Sequence, residues 1–266
     1  MQKAVFVTGA QSGTGYAIAE RFAKEHWDVF ITSRQGEEAA CAAKTLTDTY
    51  GVFAKGYEYN IRNEQQAIDI FRDIDATGRF VETVVLNAAD LGFGTDPAKG
   101  MDFWTVPVEE FQRVFETNLV WNFMTIRQAA LRMRERHKGA IVFIGSNTAY
   151  QAIPNRCAYG ASKGGINSFS KSLAIDLGHF GIRSNVVLPG TIKTERWYKM
   201  GDKQIIKGEV APIGDIADFE DVANAAWFLG SDASKSVTGT ELTVDGGMSA
   251  QLFPECMIGW KKAMME

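Results

Sequence analysis

The chain has 266 residues, 45% of them hydrophobic and 23% charged, with a formal net charge of -4. This is a globular composition that excludes disorder, and an α/β chain of this length is expected to fold as one domain over residues 1–266. Mild acidity argues against a nucleic-acid partner, no apolar run is long enough to span a bilayer, and a strand expected almost at Met1 leaves no room for a signal peptide, so a cytoplasmic location is the default expectation.

The first apolar run, residues 4–7, leads into Thr8-Gly9-Ala-Gln-Ser-Gly13-Thr14-Gly15 and then a helical pattern over about residues 15–26. Glycines at a strand–helix junction allow a tight turn and let backbone N–H groups approach phosphate oxygens at a helix N-terminus. The spacing Gly-x-x-x-Gly-x-Gly differs from the Gly-x-Gly-x-x-Gly fingerprint, but its place at the start of a βαβ unit points to a dinucleotide pyrophosphate. A second run, residues 29–31, ends in Thr32-Ser33-Arg34. There is no carboxylate here for a ribose 2′-OH; Arg34 can pair with a 2′-phosphate and Ser33 leaves room for it, so NADP(H) is favoured while NAD(H) stays open.

A weaker strand at residues 52–57 precedes Asn60, and a fourth at 81–86 precedes Asn87 and Ala88. Residues 90–107 form a long polar connection containing Phe93, Phe103 and Trp104, before a helical pattern over about residues 108–137 that carries Asn118. The strand at 140–144 leads to Ser146, whose hydroxyl is expected at the carboxyl edge of the sheet, able to bind a substrate oxygen. A third helical pattern, about 159–180, opens with Tyr159-Gly-Ala-Ser-Lys163. The strand at 184–188 runs into Pro189-Gly190 and a loop over 191–214 with Ile192, Thr194, Trp197 and Tyr198; a last strand is expected at 241–244, followed by an apolar tail at 248–266. Short apolar strands alternating with helices predict a Rossmann-type, doubly wound α/β fold with a parallel sheet of about seven strands.

Cys41, Cys157 and Cys256 are widely spaced with no CxxC, and His26, His137 and His179 show no ligand spacing. The cysteines read as reduced thiols and the histidines lie near expected helix ends, so no metal is expected. The chemistry rests instead on Tyr159 and Lys163, which share a helix face at i and i+4. A phenol titrates near ~10, and a neighbouring ammonium favours phenolate and brings it toward a useful range. Lys163 is also long enough to reach the hydroxyls of a nicotinamide ribose.

Taken together, Thr8-Gly9-x-x-x-Gly13-x-Gly15, Asn87-Ala88, Asn118, Ser146, Tyr159-x-x-x-Lys163, Pro189-Gly190-x-x-x-Thr194 and Asp245-Gly246-Gly247 closely resemble the short-chain dehydrogenase/reductase family over almost the whole chain. The resemblance implies Tyr159 as general acid/base, Ser146 as orienting hydrogen bonder, Lys163 as pKa modulator and ribose ligand, and Asn118 as support of a water-linked proton relay. It further implies that the backbone of Ile192 and the side chain of Thr194 hold the nicotinamide carboxamide, and that the protein is a homo-oligomer, tetramer or dimer. Two departures stand out: Ala89 replaces a frequent glycine, and Asn60 stands where an aspartate commonly contacts adenine.

The expected activity is reversible hydride transfer between NADP(H) and a secondary alcohol or ketone; a non-catalytic dinucleotide-binding regulator or scaffold of the same fold is the alternative. Phe93, Trp104, Tyr150, Ile153, Cys157, Trp197 and Tyr198 are candidate pocket walls. They leave sugars or polyols, steroid-like ketones and 3-oxoacyl compounds open as substrates. The tail is expected to bury on the pocket rim or against a partner subunit.

Overall fold

The computed structural model describes residues 2–92, 100–200 and 210–252. Their strands are β1 (Lys3–Val7), β2 (Asp28–Ser33), β3 (Ala54–Glu58), β4 (Phe80–Leu86), β5 (Gly139–Ile144), β6 (Ile182–Pro189) and β7 (Glu241–Val244). They form one seven-stranded sheet in the order β3-β2-β1-β4-β5-β6-β7, with every pairing parallel. The helices are α1 (Gly13–Lys24), α2 (Gly36–Tyr50), α3 (Glu64–Ala76), α4 (Val108–Phe115), α5 (Trp121–Arg136), α6 (Cys157–Gly178), α7 (Glu195–Met200) and α8 (Phe219–Gly230). None among the described residues is long and apolar enough to cross a membrane.

Successive side chains of a strand point to opposite faces, and here both faces are covered. Val5 and Val7 of β1 enter a core with Ile18 and Phe22 of α1, Leu46 of α2 and Val222 of α8. Ala4 and Phe6 enter the opposite core with Phe71 of α3, Ile126 of α5 and Ile166 of α6. That double burial is why the strands read as continuous apolar runs. Each fully buried Phe contributes roughly 2–3 kcal/mol of hydrophobic stabilisation.

The chain winds outward from β1 through β2 to β3, then returns to lay β4 on the other side of β1. The reversal opens a crevice at the carboxyl ends of β1 and β4, where doubly wound sheets bind ligands. The Gly9–Gly15 loop sits at that point.

The helical pattern at 108–137 is continuous, α4 and α5 running into each other through a wide π-helical turn, Glu116–Val120, with Asn118 at its centre. The periodic pattern does not single out this turn, where Asn118 makes buried hydrogen bonds to Asp90 and Ser162. α6 begins two residues earlier than expected, at Cys157, and α1 ends at Lys24 with His26 in the left-handed region at φ 59°.

Candidate active site

The glycine loop is held by its neighbours on both sides. Gly9 N donates to Thr32 Oγ1 (3.3 Å) and Ala10 N to the Thr32 carbonyl (2.9 Å), which fastens it to β2. On the β4 side, the Thr8 hydroxyl accepts from Asn87 N and Ala88 N, both at 3.0 Å. Asn87 Nδ2 donates to the carbonyls of Thr8 (3.1 Å) and Gly9 (2.9 Å). The sequence pattern marked Asn87 as a cofactor residue; here its amide braces the loop, and Thr8 is a bracing residue that the pattern contained but did not single out.

Gly9 and Gly13 have φ of +63° and +57°, a region that strains any residue with a Cβ. A Cβ on Gly15 would lie 2.2 Å from the Gly9 carbonyl oxygen, so α1 can start this close to the loop only with glycine. Ser12, the cap of α1, makes no side-chain capping bond, unlike Asn63 at the start of α3 and Asp218 at the start of α8. Gln11 adds a buried amide oxygen with no hydrogen-bond partner. Uncapped N–H groups, close glycine backbone and an unsatisfied amide at a strand-order reversal fit a dinucleotide pyrophosphate.

Around the expected adenosine end, Ser33 is buried at the tip of β2 and Arg34 is exposed. Asn60 is also exposed, its side-chain oxygen accepting from Arg62 N (3.1 Å) in the turn after β3, which leaves one lone pair for a further donor. At the nicotinamide end, Gly190 follows Pro189 with its N–H bonded to the Val244 carbonyl (3.0 Å), and a Cβ there would meet Asp245 Cβ at 2.6 Å. Ile192 bridges to Ala217, and the Thr194 hydroxyl accepts from Trp197 N (3.1 Å), capping α7. Asp245 holds the C-terminal turn by accepting from Gly247 N (2.9 Å) and Ser249 N (2.7 Å).

The chemical residues come together where β5 meets α6. Lys163 is 2% exposed, and its Nζ donates to the Ile144 carbonyl (2.8 Å) and lies 5.5 Å from the centroid of the Tyr159 ring. Burial pulls its ammonium down from 10.5 to about 8. Burial also raises the Tyr159 phenol, opposed by a hydrogen bond with Ser146 and the charge of Arg156. The proximity of Lys163 to Tyr159 is as expected, and Arg156, one turn before it, is a further cation whose charge acts to lower the phenol. The sequence reading missed Arg156 because a residue just ahead of a helix shows no periodicity.

Asn118 is fully buried. Its Nδ2 donates to the Asp90 carbonyl and to Ser162 Oγ, both at 2.9 Å, and its Oδ1 accepts from Asp90 N (2.8 Å). The amide is thus spent on pinning the loop after β4 to α6. Its own carbonyl accepts from Asn122 Nδ2 (2.7 Å).

Of the expected pocket walls, Tyr150, Ile153 and Cys157 line one pocket together with Thr148 and Arg156, and Trp104, Trp197 and Tyr198 are not among its lining residues. Trp104 is 91% exposed and packs edge-on against Phe103, and Tyr150 donates its hydroxyl to Glu241 of β7. Trp197 and Tyr198 pair edge-on at 5.1 Å in the loop and α7 region. Phe93 and the tail beyond Leu252 lie outside the described residues. Asn147 Nδ2 reaches Ser249 Oγ (3.4 Å), so the C-terminal turn borders the residue that follows Ser146.

Over residues 9–249 the chain matches the family described as enoyl-(acyl carrier protein) reductase. It is 31% identical over 248 residues to the 3-oxoacyl-(acyl-carrier-protein) reductase FabG of Aquifex aeolicus, covering 92% of this chain and 97% of that one. An oxidoreductase of the short chain dehydrogenase/reductase family from Burkholderia thailandensis has a similar structure, with a TM-score of 0.81 at 28% identity over 100% of this chain and 98% of the other. ElxO with NADP bound gives a TM-score of 0.84 at 28% identity, over 94% of this chain and 100% of its own.

Proposed function

The chain belongs to the short-chain dehydrogenase/reductase family, and from that premise we propose how its own residues carry the reaction of an NAD(P)-dependent oxidoreductase, reversible hydride transfer between a nicotinamide and a secondary alcohol or ketone. NADP(H) is the favoured cofactor and NAD(H) is compatible with the site. The nicotinamide, when bound, supplies or takes up the hydride. In the reducing direction Tyr159 Oη gives its proton to the substrate oxygen, and in the oxidising direction it takes the proton from the alcohol. Ser146, hydrogen-bonded to the same phenol, orients that oxygen. Lys163 stabilises the phenolate and reaches the nicotinamide ribose. Asn118 is a positioning residue that fixes the loop after β4 against α6.

Gly9, Gly13, Thr14 and Gly15 hold the pyrophosphate, with Asn87 and Ala88 bracing them. Ser33, Arg34 and Asn60 border the adenosine, and Pro189, Gly190, Ile192 and Thr194 hold the carboxamide end. Sugars or polyols, steroid-like ketones and 3-oxoacyl compounds are the substrate classes to assay. The chain acts as a single domain built on one sheet. A reducing, cytoplasmic setting suits the exposed free thiols of Cys41 and Cys157. A dimer or tetramer suits the apolar side chains left open on the neighbouring helices α5 and α6, namely Phe123, Leu131 and Ile175.

The observation that carries this reading is the buried Lys163 ammonium beside a phenol hydrogen-bonded to Ser146. Tyr159→Phe is expected to lose about 100-fold or more in kcat, the size of a general acid–base contribution. NADPH affinity, followed by fluorescence titration, should stay near that of the parent protein. Normal turnover by Tyr159→Phe on a substrate of the parent enzyme would remove the proton-transfer role.

A further inference from the structure

Ser33 presents one hydroxyl, and the structure has already committed it. Its Oγ donates to Glu38 Oε2 at 3.2 Å and accepts from Gln35 N at 3.1 Å. Ser33 is 4% exposed at the end of β2, and Glu38 lies in the first turn of α2. A serine hydroxyl carries a single proton. With that proton on Glu38, Ser33 offers an approaching ligand a lone pair and no donor. A lone pair backed by a carboxylate suits a donor such as a ribose 2′-OH and disfavours the oxygens of a 2′-phosphate. Arg34 is the adjacent residue, exposed and without an ion pair among the described residues, and it attracts the phosphate. Two opposed recognition elements therefore stand side by side.

We propose that Glu38 sets the balance between the two nicotinamide dinucleotides by withholding the Ser33 hydroxyl proton, so that the protein uses both NADP(H) and NAD(H) with Arg34 and Glu38 pulling in opposite directions. This rests on the cofactor reading given above. Glu38 also has an ordinary structural role, since an acid in the first turn of a helix complements its dipole. That role acts on the fold and not on the choice between the two cofactors, so the affinity ratio separates the two.

The test measures dissociation constants of NADPH and NADH by fluorescence titration, without turnover, for the parent protein, Glu38→Ala and Glu37→Ala; alanine removes the acceptor as well as the charge. Glu37 occupies the same helical turn and makes no bond to Ser33, so it controls for the helix-end charge. Glu38→Ala is expected to shift the affinity ratio toward NADPH by about tenfold, the scale of removing a close like charge at a partly exposed site. Glu37→Ala is expected to shift it by less than about threefold. An unchanged ratio in Glu38→Ala, or an equal shift in both variants, overturns the proposal. Failure of the parent protein to bind either dinucleotide instead overturns the cofactor reading and the proposal with it, a result distinct from a bound cofactor whose ratio does not move.

Discussion

Lys163 keeps an ammonium inside the protein, and its folded-state pKa of about 8 against the usual 10.5 makes this a stability statement. Between those values the unfolded chain binds the proton that the folded protein lacks, so stability from this group rises with pH across the window and is lowest below it. Lys163→Met should therefore be more stable than the parent at pH 7 by ~2 kcal/mol, taking the shift at 1.36 kcal/mol per unit less about 1 kcal/mol for the lost bond to Ile144. By pH 10 the advantage should be nearly gone. Urea unfolding at the two pH values checks this, and a stability difference that does not change with pH would contradict it. Lys163 as a candidate site residue was legible from its spacing to Tyr159. The depth of its burial was not, because desolvation comes from β5 and α6 closing over it.

At the scale of elements, the junction of β1, α1 and β4 is built around absent side chains. Gly15→Ala places a methyl 2.2 Å from the Gly9 carbonyl oxygen and 2.6 Å from Asn87 Nδ2, both of which brace the loop. The loop must shift, costing roughly 1–3 kcal/mol as overpacking does, and NADPH affinity should fall by about tenfold or more. Thermal unfolding with an NADPH titration reads both, and an unaltered affinity would mean that the loop does not contact the cofactor. The glycines themselves are plain in the sequence. Their bracing by Thr8 and Asn87 depends on β4 lying beside β1, a neighbour relation across about eighty residues that no local pattern carries. The π-helical turn at Glu116–Val120 likewise sits where Asn118 turns inward to bind Asp90 and Ser162.

At the scale of the whole molecule, the sheet order places the loops after β1, β4, β5 and β6 along one edge, so residues from 9 to 194 reach one crevice. The opposite consequence is that α5 and α6 cover one face with their outer sides open, and Ile175 is 81% exposed. If that surface is buried between subunits, Ile175→Glu should shift the sedimentation coefficient toward a smaller species while far-UV circular dichroism stays unchanged. An oligomer that survives the substitution would move the interface elsewhere.

The sequence alone determined the strand and helix alternation and the parallel class of the sheet, and marked Gly9, Ser146, Tyr159 and Lys163 as candidate site residues, because apolar periodicity and short-range spacing are local properties. Tertiary structure decided what those residues experience. Lys163 became a desolvated ammonium, Arg156 became a further charge acting on Tyr159, and Asn118 became a clamp on Asp90. It also set Glu38 on the Ser33 hydroxyl, qualifying a cofactor preference that Ser33 and Arg34 stated simply as letters. Burial, electrostatic neighbours and hydrogen-bond partners are properties of residues distant in the chain or turned toward one another by the fold, and they exist only once the chain has closed.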